Sequence, residues 1–130
     1  CNFLNKFKKV VFLNTLLFTG MRKDEVKEIR NTGLIERDGK YYITSYLGKT
    51  VDDHEELTWI ISEYCNKLLK LLVDMNKEMH NRVKAIIATN DSRFSELYLN
   101  YLKSNLENDL IFGVNYSMNL CRFDNMRNHK

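Results

Sequence analysis

The chain has 130 residues and a mass of 15.5 kDa, enough for one domain with its own core. Its 44% hydrophobic and 28% charged residues exclude a disordered chain and a membrane-embedded one, and the absence of proline with only five glycines excludes collagen-like or linker sequence. Twenty Lys+Arg against seventeen Asp+Glu leave a net charge of +3, which is compatible with a nucleic-acid partner without requiring one.

Cys1 stands where an initiator methionine would, so the chain reads as a fragment or one with an earlier start. Lys6, Lys8 and Lys9 before the apolar run Val10–Phe18 imitate a signal peptide, but Asn14 interrupts the run and Arg22 opens a charged stretch. A buried helix over Phe3–Phe18 fits better. Apolar residues recur at Leu4, Phe7, Val11 and Phe18, with a neighbouring row at Val10, Leu13 and Leu17, which predicts a wide, largely buried face. Gly20 interrupts this helix, and a short second one is predicted over Arg22–Arg30, with Val26 and Ile29 facing inward and Asn31 and Gly33 as stop signals.

The next region is rich in β-branched and aromatic residues. Leu34–Glu36 and Lys40–Leu47 flank Asp38-Gly39, a strong hairpin signal, and Gly48-Lys49 reads as a second turn before a third strand around Glu56–Trp59. Helical spacing then returns from Ile60 to Met79, carried by Ile61, Tyr64, Cys65, Leu68, Leu69, Leu72 and Met75. Asn90, Asp91 and Ser92 offer capping groups for a helix bearing Phe94, Leu97, Tyr98, Tyr101 and Leu102, and Ser117 for a last helix. The fold class expected is mainly α with a small antiparallel three-stranded sheet, in a single domain over residues 1–130. Cys1, Cys65 and Cys121 show neither a disulfide framework nor zinc-ligand spacing, as in a reducing cytoplasm.

The segment Leu16–Val26 carries the most information. Thr19, Gly20, Met21, Arg22, Glu25 and Val26 fill, without a gap, the pattern apolar-apolar-x-Thr-Gly-apolar-Arg-x-x-Glu-apolar. This stretch resembles the first catalytic-arginine motif of the tyrosine recombinases, the phage-integrase family. Gly48-Lys49, 27 residues after Arg22, resembles that family's lysine turn, and Asn119-Leu120-Cys121-Arg122 resembles its His-x-x-Arg box, with Arg122 placed 100 residues after Arg22. The order of elements matches the family's catalytic domain, that of the DNA breaking-rejoining enzymes, over nearly the whole chain.

The resemblance implies cleavage and rejoining of double-stranded DNA through a 3′-phosphotyrosine, in site-specific recombination or integration, without metal or nucleotide cofactor. Two arginines, Arg22 and Arg122, would grip the non-bridging oxygens with forked donors whose charge is independent of pH. Lys49 would protonate the departing 5′ oxygen, and Glu25 would orient an arginine from behind, since a carboxylate against the phosphate would repel it. Both guanidinium groups should then converge on one basic face, with Glu25 in hydrogen-bond reach of one. The partners implied are DNA and further copies of the chain assembled on it, with no membrane, in the cytoplasm of a bacterial, phage or mobile-element setting.

Two departures stand out. Asn119 occupies the histidine position and cannot shuttle a proton at neutral pH. All seven tyrosines precede Arg122, so no nucleophile lies in the family's position, as in a domain truncated before its tyrosine. The alternatives are a catalytically inactive DNA-binding fragment of the same fold, a telomere resolvase or type IB topoisomerase, and an unrelated helical interaction domain with a chance motif. Lys40 is a rival to Lys49; His80 reads as a surface helix residue and His54 as part of a solvated acidic loop.

Overall fold

The computed structural model describes residues 2–47, 55–90 and 94–113. In chain order its elements are α1 (Asn2–Thr19), α2 (Lys23–Lys27), β1 (Leu34–Arg37), β2 (Lys40–Leu47), β3 (Glu55–Ile61), α3 (Glu63–Thr89) and α4 (Glu96–Asn108). The domain is mainly helical with one antiparallel sheet in the order β1-β2-β3. No helix among the described residues is long and apolar enough to cross a membrane.

The Asp38-Gly39 turn forms because both residues take positive φ, 54° and 74°, the backbone a two-residue hairpin of this twist demands. It sets the register Arg37↔Lys40 through Leu34↔Ile43. On the other edge β2 pairs with β3 from Tyr41↔Ile61 to Leu47↔Glu55. β3 runs two residues further than expected. Trp59 and Ile61 turn inward and Ile60 outward, so period-two alternation carries Ile60 and Ile61 into the sheet rather than into a helix.

Ser62 then caps α3, its hydroxyl accepting from Cys65 N–H at 3.1 Å. α3 continues ten residues beyond Met79, because Val83 and Ile86 prolong the buried row of Leu69, Leu72 and Met79 through a polar-looking stretch. Asn90 ends α3 in the left-handed conformation and does not start α4. Ser95 caps α4, accepting from Tyr98 N–H, while Asp91, Ser92 and Ser117 lie outside the described residues. Leu99 and Leu102 are the buried row of α4; Leu97 is 82% exposed.

α1 differs most from its expected burial. The row packed inward is Leu4, Lys8, Val11 and Thr15, and Val10, Leu13, Leu17 and Phe18 are exposed. A helix packed on one side buries one row of the i, i+4, i+7 kind, and the apolar residues of α1 extend well beyond the arc that α3 meets.

A partly buried amide network joins the far parts of the chain. Arg30 bridges Leu110, Asn31 N–H donates to the Asp109 carbonyl at 2.9 Å, and Ile111 N–H donates to the Ile29 carbonyl at 2.9 Å. From α3, the Asn76 amide group donates to Asn31 Oδ1 at 3.0 Å and to the Ile111 carbonyl at 2.9 Å. Asn76 Oδ1 is buried without a hydrogen-bond partner among the described residues. The segment that leads to residue 114 is thereby fastened beside the end of α2.

Candidate functional site

The Thr19–Glu25 corner is built by local chemistry. Gly20 takes φ +69°, a conformation that costs a side-chain-bearing residue about 1 kcal/mol or more, and so lets α1 stop abruptly. Thr19 Oγ1 donates to the Thr15 carbonyl at 2.5 Å and accepts from Met21 N–H at 3.2 Å. Met21 is buried and anchors the turn from below. Arg22 follows in extended conformation as the N-cap of α2, and its side chain is exposed.

Glu25 is the buried acid of the corner. Its Oε1 accepts from Arg22 N–H at 2.7 Å, the carboxylate half of a capping box. Among the described residues no ion pair joins this carboxylate to the Arg22 guanidinium. Glu25 thus fixes the main chain of Arg22 and leaves the guanidinium free to face solvent. The Glu25 carbonyl in turn accepts a short hydrogen bond from Ser45 Oγ on β2, which ties the corner to the sheet.

That tie tells the two ends of the sheet apart. Ser45 lies two residues before the end of β2, from which the chain enters the 48–54 connection containing Lys49. Lys40 opens β2 at the opposite end, next to the β1–β2 turn, about 17 Å along the strand from Ser45. Lys40 is therefore remote from the arginine corner. Lys49 and His54 lie outside the described residues, as do Asn119 and Arg122, so the expected convergence of Arg22 with Arg122 falls outside them too.

The remaining titratable candidates lie elsewhere. His80 is half-buried on α3, and burial is the main influence holding its pKa below the ordinary value; Asp109 opposes this, and Lys8 and Lys84 reinforce it. Cys65 is buried and free, and burial pushes its thiol up despite a hydrogen bond with the Thr15 side chain.

A cleft of about 790 Å³ opens at the other end of α2. Lys8, Lys9, Phe12 and Leu13 of α1 form one wall, Tyr101, Ser104, Asn105 and Asn108 of α4 face them, and Lys27, Glu28, Leu110, Phe112 and Gly113 complete it. Phe12 and Phe112, both in its lining, meet edge to face at 5.3 Å. Neither this cleft nor the Ser45 tie was visible in the pattern of the sequence. Asn76 did leave a trace there: a polar residue at a position of the buried α3 row.

No protein-family model matches this chain, and no curated protein or solved structure is significantly similar to it.

Proposed function

We propose that this chain is the phosphate-gripping part of a domain that cleaves and rejoins double-stranded DNA, similar in plan to the tyrosine recombinases. One observation carries the reading. An exposed arginine at the Thr19-Gly20-Met21-Arg22 turn has its main chain locked by a buried glutamate, and Ser45 binds that glutamate to the sheet end from which Lys49's connection departs. An arginine so held meets an anion with its main chain already fixed, so that less of the chain must reorganise to bring its charge to a phosphoryl transition state.

In the proposed reaction a tyrosine hydroxyl attacks the phosphorus and gives up its proton to water, a 3′-phosphotyrosine bond forms, and the bond to the 5′ oxygen breaks. That oxygen takes its proton from Lys49 while Arg22 and Arg122 neutralise the non-bridging oxygens. Asn119 donates a hydrogen bond to one of them. Tyr41, Tyr42 and Tyr46 belong to β2, Tyr64 to α3, and Tyr98 and Tyr101 to α4, while Tyr116 lies outside the described residues and precedes Arg122. The attacking tyrosine is assigned to another segment or to a neighbouring copy assembled on the same DNA. The setting proposed is the cytoplasm of a bacterium or of a cell carrying a phage or mobile element.

A second reading, DNA binding without cleavage, is favoured by Asn119, which cannot replace a histidine in proton transfer. The first experiment serves both. Duplex binding by mobility shift should fall for Arg22→Ala, and the slope of log K against log salt should shrink by about one. Unchanged affinity and slope would remove Arg22, and the reading with it. Adduct formation on a nicked duplex, with a downstream tyrosine segment supplied, then separates cleavage from binding alone.

A further inference from the structure

We propose that the outer face of α1 is a self-association seam, on which a second copy of this chain lays its own α1 in antiparallel orientation. α1 turns the row Leu4, Lys8, Val11 and Thr15 into the domain and leaves Phe3, Val10, Leu13 and Leu17 between 53% and 79% exposed on its outer side. With the exposed Lys6, these positions run 3, 6, 10, 13 and 17, alternating steps of three and four. That is the a and d spacing of a coiled coil, with Val10 at an a position and Leu13 at a d position. The spacing decides the kind of partner. A lipid surface asks only for a broad apolar arc, whereas a seam of this period fits the ridge of another helix.

The area decides the strength. The four apolar seam residues and Phe18 beside them leave on the order of 500 Å² of side chain open. A patch of that size is near the upper end of what a monomer shows, and two of them together bury about 1,000 Å², the low end for specific interfaces. A second copy supplies the same seam in return, so an isologous pair needs no other surface to match it. The result is a weak, reversible dimer.

Charge decides the orientation. α1 carries Lys6, Lys8 and Lys9 in its first half, no acidic residue, and no charged residue from Val10 to Thr19. A parallel pair in register would set Lys6 against the partner's Lys6 inside the seam. An antiparallel pair with Val10 opposite the partner's Leu13 sets Lys6 opposite the partner's Leu17 instead. The two Lys6 ammonium groups are then offset by the 11 positions from 6 to 17, about 16 Å along the axis and beyond a screening length of ~8–10 Å. Each also meets the last turn of the partner's α1, whose open carbonyls carry the negative end of the helix dipole and which has no basic residue of its own. The inference does not rest on the DNA reading, because the seam needs no nucleic acid to form.

Sedimentation equilibrium of the 130-residue chain without DNA, from ~1 to ~200 µM, should show a monomer–dimer equilibrium with a Kd on the order of 10 µM. Leu13→Glu puts a charge in the middle of the seam at an exposed position and should weaken the dimer about tenfold or more. Leu97→Glu, equally exposed but on α4, should leave it unchanged, and circular dichroism checks that both variants fold. Orientation is read by cross-linking in a background of Cys1→Ser and Cys121→Ser. Lys6→Cys combined with Leu17→Cys should form an intermolecular disulfide with diamide, and Lys6→Cys alone should not, since its two sulfurs would stand too far apart. A chain monomeric at ~200 µM, a dimer indifferent to Leu13→Glu, or a cross-link from Lys6→Cys alone would each overturn the proposal. So would Leu13-dependent capture on anionic vesicles by a chain that stays monomeric. Arg22→Ala should not alter the dimer, so failure of this proposal and failure of the DNA reading are observed separately.

Discussion

Methionine in place of Lys8 keeps an unbranched side chain of similar length and removes a charge from the inward face of α1. Burial holds the Lys8 ammonium down to about 8 against an ordinary 10.5, so the folded chain releases its proton while the unfolded chain still holds it. That gap corresponds to a destabilisation of ~3 kcal/mol below pH 8, where Lys8 is charged in both states. Around Lys8 stand His80 of α3, itself influenced by Asp109 and Lys84, and the cleft's Lys9, Lys27 and Glu28. Contacts made by the Lys8 ammonium are lost with it, so the net gain expected for Lys8→Met near pH 7 is about 1–3 kcal/mol. The sign across pH is fixed. Between pH 8 and 10.5 the unfolded state binds more protons, so the wild-type chain gains stability as pH rises, while the variant lacks this contribution. Urea unfolding of both proteins across this range measures the gap, provided the two slopes agree. The advantage of Lys8→Met should shrink steadily as pH approaches 10.5. A gap that is constant with pH, or a variant less stable than wild type near neutrality, would refute the argument.

Glu25→Ala should cost about 1–2 kcal/mol of stability by leaving Arg22 N–H without its acceptor, and Glu25→Gln, which keeps an acceptor oxygen, should recover most of that loss in the same urea assay. Asn76→Leu should be more severe, about 2–4 kcal/mol, because it strips a donor from Asn31 Oδ1 and from the Ile111 carbonyl at once; thermal unfolding measures it. For His80 the folded pKa is lowered chiefly by burial, so the unfolded chain takes up the proton first and stability falls as pH drops below the ordinary 6.5. His80→Gln should flatten that part of the stability curve, and an unaltered slope would show that His80 does not contribute to it.

Local signals were the most legible in the sequence. Asp38-Gly39 specified its hairpin because the turn is decided by two residues whose backbone few others adopt. The Thr19–Glu25 corner was legible for a similar reason: a glycine stop, a helix start and a glutamate three residues after the N-cap are all short-range features. Burial of α1 was not legible, since Val10, Leu13 and Leu17 satisfy the periodicity as well as Leu4 and Val11 do, and only the position of α3 chooses between the rows. The end of β3 departs from expectation where a period of two meets one of 3.6 at Ile60 and Ile61, a pair that suits both. Asn90 carries a side chain fit for an N-cap, and its left-handed backbone makes it a C-cap instead. Glu25 is expected to orient an arginine, and its hydrogen bond goes to the Arg22 amide, a choice that side-chain chemistry alone does not make.

The pairing of Ile29–Asn31 with Asp109–Ile111 has a consequence for the order in which the molecule is made. Asn31 and Asp109 are separated by 78 positions, and closing a loop of that length costs about 4 kcal/mol of chain entropy before any contact repays it. During synthesis the arginine corner emerges early, but the strip that clamps the end of α2 does not exist until residue 111 has left the ribosome. α1, the hairpin and α3 can assemble beforehand, because all of them precede residue 90 in the chain. The far end of α2 is therefore among the last parts to settle, and a nascent chain that pauses before Leu110 presents Arg22 on a helix tied to the sheet through Ser45 but not yet clamped at its other end.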